Sequence, residues 1–455
     1  MLHSFRQSIP LPSKPRNIEL GKYEFHKLSN GLDIIVVEDH KLPIVNIKLG
    51  LRNKPQLQAQ LKGIESLTGA MLGRGTKYKS KLDYHRALEF YGTNVGFNKA
   101  GFSTNVLTQY TEEVFDLAVE ALLHPAFDEE ELTKEIAQLN AGLQQVAFDA
   151  ESIAANICNK INYGDLHPYG EIVTTENIAH FNKAEIINYY EKYFIPNNAV
   201  LIFVGDISLA AAVNLAQSRL SSWEARPFHE VDYKIPFLPQ STNFNIASKP
   251  SAVQTVIHVT YPLELHPTDV DITKISLTNK ILGGGVFAAR LFQNLREKNA
   301  YTYGAYSSLH ADQICAHFDA RGSVKSETFE LAINEIFHEM RNMQNEMVSK
   351  SEMDVIRNSM IGDFGRSLEH SGTLARFAFS ILHYGLPEDY YSTYIERLMS
   401  VSENDIMEMA NKYFMPERSN VVCVGDLNTI EKAIHSQFPN SKISLFGPFG
   451  ERIEQ

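Results

Sequence analysis

Several residues have the types and spacing to do chemistry. His338 and Glu339 in the run LAINEIFHEM begin as a zinc-binding H-E-x-x-H helix would, but position 342 is Asn, so the second histidine ligand is absent. The pair reads as a solvated helix face. Gly283-Gly284-Gly285 has the look of a phosphate cradle, yet no Gly-Lys-Ser/Thr follows and a helical run precedes it, which argues against a nucleotide site. His124 and His167 each precede a proline and read as turn or capping residues. Cys158, Cys315 and Cys423 are few, odd in number and far apart, so neither a disulfide framework nor a cysteine zinc cluster follows. Arg296 and Tyr303 stand in LREKNAYTY. By themselves they read as a solvated helix residue and a packed strand aromatic, with Tyr301 on the same strand face as Tyr303 by period two.

The elements that position these residues come from a duplicated chain. Lys192, Tyr193, Phe194, Pro196, Val204, Gly205 and Asp206 recur without gaps as Lys412, Tyr413, Phe414, Pro416, Val424, Gly425 and Asp426. Each copy reads as a helix, a proline stop and a β-run ending in Gly-Asp. So long a period predicts duplicated domains and not a solenoid. We place them at residues 1–228 and 245–455, with a Pro-bearing linker at 229–244. The runs YEFHKL, LDIIVVED and IVNIKLGL predict a β-meander, with Asn30-Gly31 as its first hairpin turn. Val114, Leu117, Ala118, Ala121 and Leu122 follow helical spacing. The fold class is therefore α+β, each half a mostly antiparallel sheet with helices on one face. The single Trp223 reads as packing.

With 455 residues, 44% hydrophobic and 21% charged, the composition is that of a globular protein. Lys and Arg number 42 against 54 Asp and Glu, a net charge of −12. That sign disfavours nucleic acid and anionic membranes as partners. No run approaches the ~18 apolar residues of a spanning helix. The opening MLHSFRQSIPLPSKPRN has no apolar signal region, so the expected location is cytoplasmic, or periplasmic if a leader has been removed.

Together the segments KLSNGLDIIVVEDHKLPIVNIKLGL, GDLHPYG, YYEKYFIPNNAVLIFVGD and LGGGVFAARLFQNLREKNAYTYG resemble the pitrilysin/insulinase family of zinc peptidases. The likeness is nearest to its bacterial branch resembling the mitochondrial processing peptidase, and it covers nearly the whole chain. That family's chemistry rests on H-x-x-E-H: two helix-borne histidines bind zinc, and the glutamate is general base to the bound water. In this chain the motif segment falls on GIESLTGAMLGRGT, anchored by Met71, Leu72, Gly75 and Thr76. Ser66 then stands at the first His, Gly69 at the Glu and Ala70 at the second His, and no histidine lies between His40 and His85. Of the family's two downstream glutamates, Glu135 matches the first, and Gly142 replaces the zinc ligand.

The resemblance also implies a role for Arg296 and Tyr303. In the family's C-terminal half, such a pair reaches the zinc site of the other half or of a partner subunit. Guanidinium and phenol can stabilise the oxyanion of peptide hydrolysis or hold a neighbouring carbonyl. Gly283, Gly284 and Gly285 are implied to be a flexible loop beside the peptide chamber. The expectation is a non-catalytic, substrate-binding subunit of a heterodimeric zinc metallopeptidase acting on peptides or unfolded segments. The chain itself would hold no cofactor, its H-x-x-E-H partner would carry zinc, and a homodimer could form when it is alone. The alternative is a structural or peptide-binding scaffold with no peptidase partner.

Overall fold

A computed structural model describes residues 20–285 and 287–453; the opening segment read above for a leader lies outside them. Strands β1 (Glu24–Lys27), β2 (Asp33–Glu38), β3 (Ile44–Leu51), β4 (Val95–Asn98), β5 (Gly101–Leu107) and β6 (Ala199–Gly205) form one sheet in the order β1-β2-β6-β3-β5-β4. The second sheet contains β7 (Asn243–Ser248), β8 (Gln254–Leu263), β9 (Thr302–Ala311), β10 (Ala316–Lys325), β11 (Asn420–Gly425), β12 (Lys442–Phe446) and β13 (Arg452–Ile453). Its order is β13-β12-β7-β11-β8-β10-β9, so it opens inside the stretch read as linker.

The two orders share one plan. β6 lies parallel to β2 and antiparallel to β3; β11 lies parallel to β7 and antiparallel to β8. The repeated Val-Gly-Asp segments thus end equivalent central strands, each following a helix, Lys183–Tyr193 or Glu403–Tyr413. Most pairings are antiparallel. The parallel ones fall where the chain returns from its helices to the middle of a sheet, as such crossovers require.

Each sheet packs its own helices on one face. In the first half, helix Thr111–Leu123 buries Val114, Leu117, Ala118, Ala121 and Leu122 against a core that includes Ile34, Ile47, Leu49 and Phe203. The opposite face of each sheet receives a helix from the other half. Helix Ser371–Tyr384 sets Leu374, Ala375 and Ala378 on Ile35, Val37, Val200, Ile202 and Val204. Reciprocally, helix Ala150–Tyr163 sets Ile153, Ala154, Ile157 and Cys158 on Ala247, Val256, Val422 and Val424. That exchange explains why β6 and β11 are buried at every position and, apart from Asn420 at the start of β11, carry no polar side chain. Strands covered on both faces lose the alternation of half-exposed ones.

Candidate functional site

Helix Ile64–Leu72 carries the three motif positions. Its packing face is set by Ile64, Leu67, Met71 and Leu72, all buried, and Gly63 in the left-handed region (φ +90°) turns the chain into it. Ser66 points to solvent and Ala70 is half-buried. Gly69 lies under the turn joining β4 to β5. A Cβ there would sit 2.2 Å from the carbonyl carbon of Asn98 and 2.4 Å from the nitrogen of Lys99. Backbone therefore fills the space in which a general-base side chain would start.

The downstream helix Glu129–Val146 repeats the pattern. Glu135 is buried and bound to Arg74 at 2.6 Å, tying the two helices together. Gly142 is exposed, with no atom within 4 Å of where a Cβ would be. Serine, glycine, alanine and glycine supply neither two imidazoles nor a carboxylate, so this donor set does not fit a peptidase zinc ion.

Beside the motif helix, a cleft of about 370 Å³ separates the halves, lined by Glu65, Lys99, Tyr169, Glu171, Asp312 and His317 among others. Glu171 accepts backbone N–H groups from Gln58 (2.9 Å) and Ala59 (2.6 Å). Burial nevertheless raises its pKa. Tyr169 donates its phenol to Asp312, and burial lowers the His317 pKa. Neither Arg296 nor Tyr303 lines this cleft.

Tyr303 lies on β9 at the far edge of the second sheet, and Arg296 on the helical segment Gln293–Lys298 that precedes it. β9 pairs with β10 alone, and its register slips near Tyr303: Ala305 faces Gly322 while Thr302 faces Val324. Tyr303 and Gly304 thus oppose the single residue Ser323, a β-bulge that re-aims side chains. This overturns the period-two expectation. Tyr301 packs against the core, whereas Tyr303 is 85% exposed. It borders an open groove with Glu151, Tyr306 and Arg321.

Arg296 stacks on Phe292, with its guanidinium carbon 4.7 Å from the ring centre, and lies 6.0 Å from that of Phe287. Among the described residues its ion pair is with Glu297 at 3.5 Å. The expected flexible glycine loop is partly corrected. Gly283 and Gly284 end a helical turn (Lys280–Gly284), and a Cβ on Gly283 would lie 2.5 Å from the Ser307 nitrogen of β9. At these positions glycine serves close packing.

The other candidates have defined places. His167 caps the turn at Pro168, its Nδ1 accepting from the Tyr169 N–H at 3.1 Å, and His124 ends helix Thr111–Leu123. Trp223 is buried and donates to the Phe194 carbonyl at 3.2 Å. His338 is exposed; it and Glu339 join Glu335 on one helix face, where the buried Asn294 amide bridges the two carboxylates at 2.7 and 2.6 Å. Sequence reasoning missed one cluster. Cys158 of the first half faces His258 and Asp319 of the second. Residues 100 positions apart on different halves carry no local signal; only the helix exchange brings them together.

The comparisons agree with this geometry. The sequence pattern described as the peptidase M16 inactive domain matches residues 180–360. An uncharacterized zinc protease of Rickettsia bellii is 23% identical over 88% of this chain and 97% of its own length. The zinc protease PqqE of Helicobacter pylori is 21% identical over 89% and 93%. Among solved structures, a peptidase M16 inactive domain from Pseudomonas fluorescens shares the fold with a TM-score of 0.81 at 22% identity, covering 89% of this chain and 98% of that one. The first half of the periplasmic protease PqqL from Escherichia coli does so at 0.71 and 16%, covering 95% and 100%. With the duplicated sheets and the replaced ligand positions, the M16 inactive-domain match over residues 180–360 and the likeness to zinc proteases are consistent with an inactive member of the M16 (pitrilysin/insulinase) family, one without the H-x-x-E-H zinc motif.

Proposed function

We propose that this chain is the non-catalytic, substrate-binding subunit of a two-chain M16 peptidase, offering Arg296 and Tyr303 to the zinc site of a homologous H-x-x-E-H subunit. The observation that carries the reading is Tyr303 itself. A large aromatic left 85% exposed by a bulge on an edge strand paired along one side only packs little against its own chain. Bulges recur beside active sites because they re-aim a side chain.

In the assembled pair the zinc and its activated water belong to the partner. This chain's part is to bind and polarise. An extended peptide is held by main-chain hydrogen bonds at a sheet edge, which favours unfolded segments over any one sequence. The Tyr303 phenol donates to the carbonyl oxygen as charge develops on it, and Arg296 donates to the same or an adjacent carbonyl.

The rival scaffold reading draws support from the stacking of Arg296 on Phe292, a contact that could be purely structural. Reconstitution separates the two. This chain and an H-x-x-E-H homologue should form a stable complex that cleaves an unfolded peptide, with neither chain active alone. A complex that keeps full activity with Arg296→Ala and Tyr303→Phe together would hand the lead to the scaffold.

A further inference from the structure

An exposed side chain takes its direction from the backbone that carries it, and the turn between Arg296 and Tyr303 is held by polar groups to which the peptidase role gives no part. Thr302 stands directly before the bulge. Its hydroxyl accepts the Gly304 N–H at 3.1 Å and donates to the Ser323 carbonyl at 2.7 Å. The side chain thus spans Tyr303 and ties both flanks of the bulge to β10. At the other end of the turn, Asn294 is 6% exposed and sits on the segment that carries Arg296. Its amide donates to Glu335 at 2.7 Å and to Glu339 at 2.6 Å, both on helix Phe329–Asn345. Its oxygen accepts from the Asn299 amide at 2.6 Å. Between these ends Ala300 has φ +55°, a left-handed conformation that a residue other than glycine keeps only where its surroundings hold it. The Ala300 and Tyr301 N–H groups close the turn on the carbonyls of Arg296 and Leu295, at 3.1 and 2.9 Å.

We propose that Thr302 and Asn294 are positioning residues for the assembled peptidase: Thr302 aims the Tyr303 phenol, and Asn294 sets the helical segment that bears Arg296. Both roles rest on the reading of Arg296 and Tyr303 as donors to the partner's zinc site. A donor stabilises developing charge only if it is already in place when the charge appears, and a displacement of about 1 Å can cost on the order of 10²-fold in rate. A bulge by itself re-aims a residue but also takes it out of the hydrogen-bond ladder. The Thr302 hydroxyl supplies a side-chain bridge where the ladder is broken. Asn294 works on the same principle. One amide group spends both of its N–H bonds on two carboxylates a helical turn apart, so the segment cannot rotate without breaking one of them. Neither residue has to touch the peptide.

Steady-state cleavage of an unfolded peptide by the reconstituted pair is the test. Thr302→Val keeps the β-branched shape and loses the hydroxyl; it should lower kcat about tenfold with KM little changed. Thr302→Ser, which keeps the hydroxyl, should recover most of that loss. In a Tyr303→Phe background, Thr302→Val should lower kcat no further, because a residue that acts through the phenol then has nothing to aim. At the other end, Glu335→Ala with Glu339→Ala removes the acceptors of Asn294 from a partly exposed helix face and should raise KM several-fold. Glu335→Gln with Glu339→Gln keeps an oxygen acceptor at each position and should bring KM back. The positioning roles are overturned if Thr302→Val and Thr302→Ser behave alike, if Thr302→Val costs the same in both backgrounds, or if the alanine and glutamine pairs raise KM equally. Full activity of the variant with Arg296→Ala and Tyr303→Phe together is a different result: it removes the donor reading itself, and the positioning roles with it.

Discussion

The two halves share a strand order, yet their free edges differ. In the first half the edge strand β4 has four residues and turns at once into β5, and that turn presses Asn98 and Lys99 onto Gly69. In the second half the edge strand β9 runs for ten residues, bears a bulge and presents Tyr303 outward. One copy of the plan has closed over its former chemistry, while the other keeps hydrogen-bond donors in the open. Metal ligands can vanish by substitution alone. At Gly69 main chain also occupies the space in which a side chain would start, so restoring side chains alone would not restore a site.

The sharpest way to break that contrast is to try to rebuild the motif. Ser66→His, Gly69→Glu and Ala70→His together reconstitute H-x-x-E-H in sequence, but the new Cβ at 69 must displace main chain at 2.2 Å. Gly69→Glu alone should cost at least about 3 kcal/mol, at the severe end of single substitutions, or prevent folding. The triple variant should show no peptidase activity. Thermal denaturation and a peptide-cleavage assay check this, and a stable, active triple variant would show that the hairpin yields easily.

On the open side, the expected effect is kinetic. In the assembled pair, Tyr303→Phe should lower kcat more than it raises KM. Loss of one oxyanion donor elsewhere costs on the order of 10²–10³ in rate, and an exposed donor should sit at or below the lower end. Tyr301→Phe is the control, because Tyr301 packs inward. Equal effects from the two changes would mean that the bulge does not single out Tyr303.

The repeated segments offer a smaller contrast. Asn182 and Ser402 cap equivalent helices, but only the second adds a reciprocal box with Asp405 and an ion pair from Asp405 to Lys274 at 2.6 Å. Burial opposes ionisation of Asp405; Lys274 and the Ser402 hydrogen bonds outweigh it and bring its pKa down to about 2. A folded-state pKa below the unfolded one contributes stability that is present above the unfolded value and lost as pH falls through the folded value. Asp405→Asn should therefore lower stability by about 1–2 kcal/mol at neutral pH and by almost nothing near pH 2. Denaturant titrations at several pH values measure it.

How much of this was legible in the sequence follows from what kind of contact carried each feature. The duplication, the central strands and the missing ligands are written in local patterns: an apolar run ending in Val-Gly-Asp, a motif helix with Ser66, Gly69 and Ala70. The bulge was not, because alternation along β9 reads smoothly through Tyr301 and Tyr303; only pairing with β10 shows that two residues oppose Ser323. Nor was the exchange of helices, since Ile153 and Ile157 would satisfy any apolar surface. Their helical period says that one face is buried, not against which half.

Arg296 gives the smallest effect, and the one most able to sharpen the contrast between halves. Its guanidinium rests on Phe292 at a partly exposed site, where such a contact contributes about 0.5–1 kcal/mol. Arg296→Ala should therefore reduce stability by no more than that amount, because the ring beneath keeps its place in the core, with Phe292 2% exposed. Peptide affinity in the assembled pair should fall through a raised KM, since a guanidinium grips a carbonyl in the ground state as well as in the transition state. Arg296→Lys tests the geometry: it keeps the charge but loses the planar fork and the flat stacking surface. If lysine restores KM, charge alone recruits the peptide. If it does not, Phe292 is there to hold a planar donor set in one orientation, and the open half is then a prepared surface in the same sense that the closed half is a filled one.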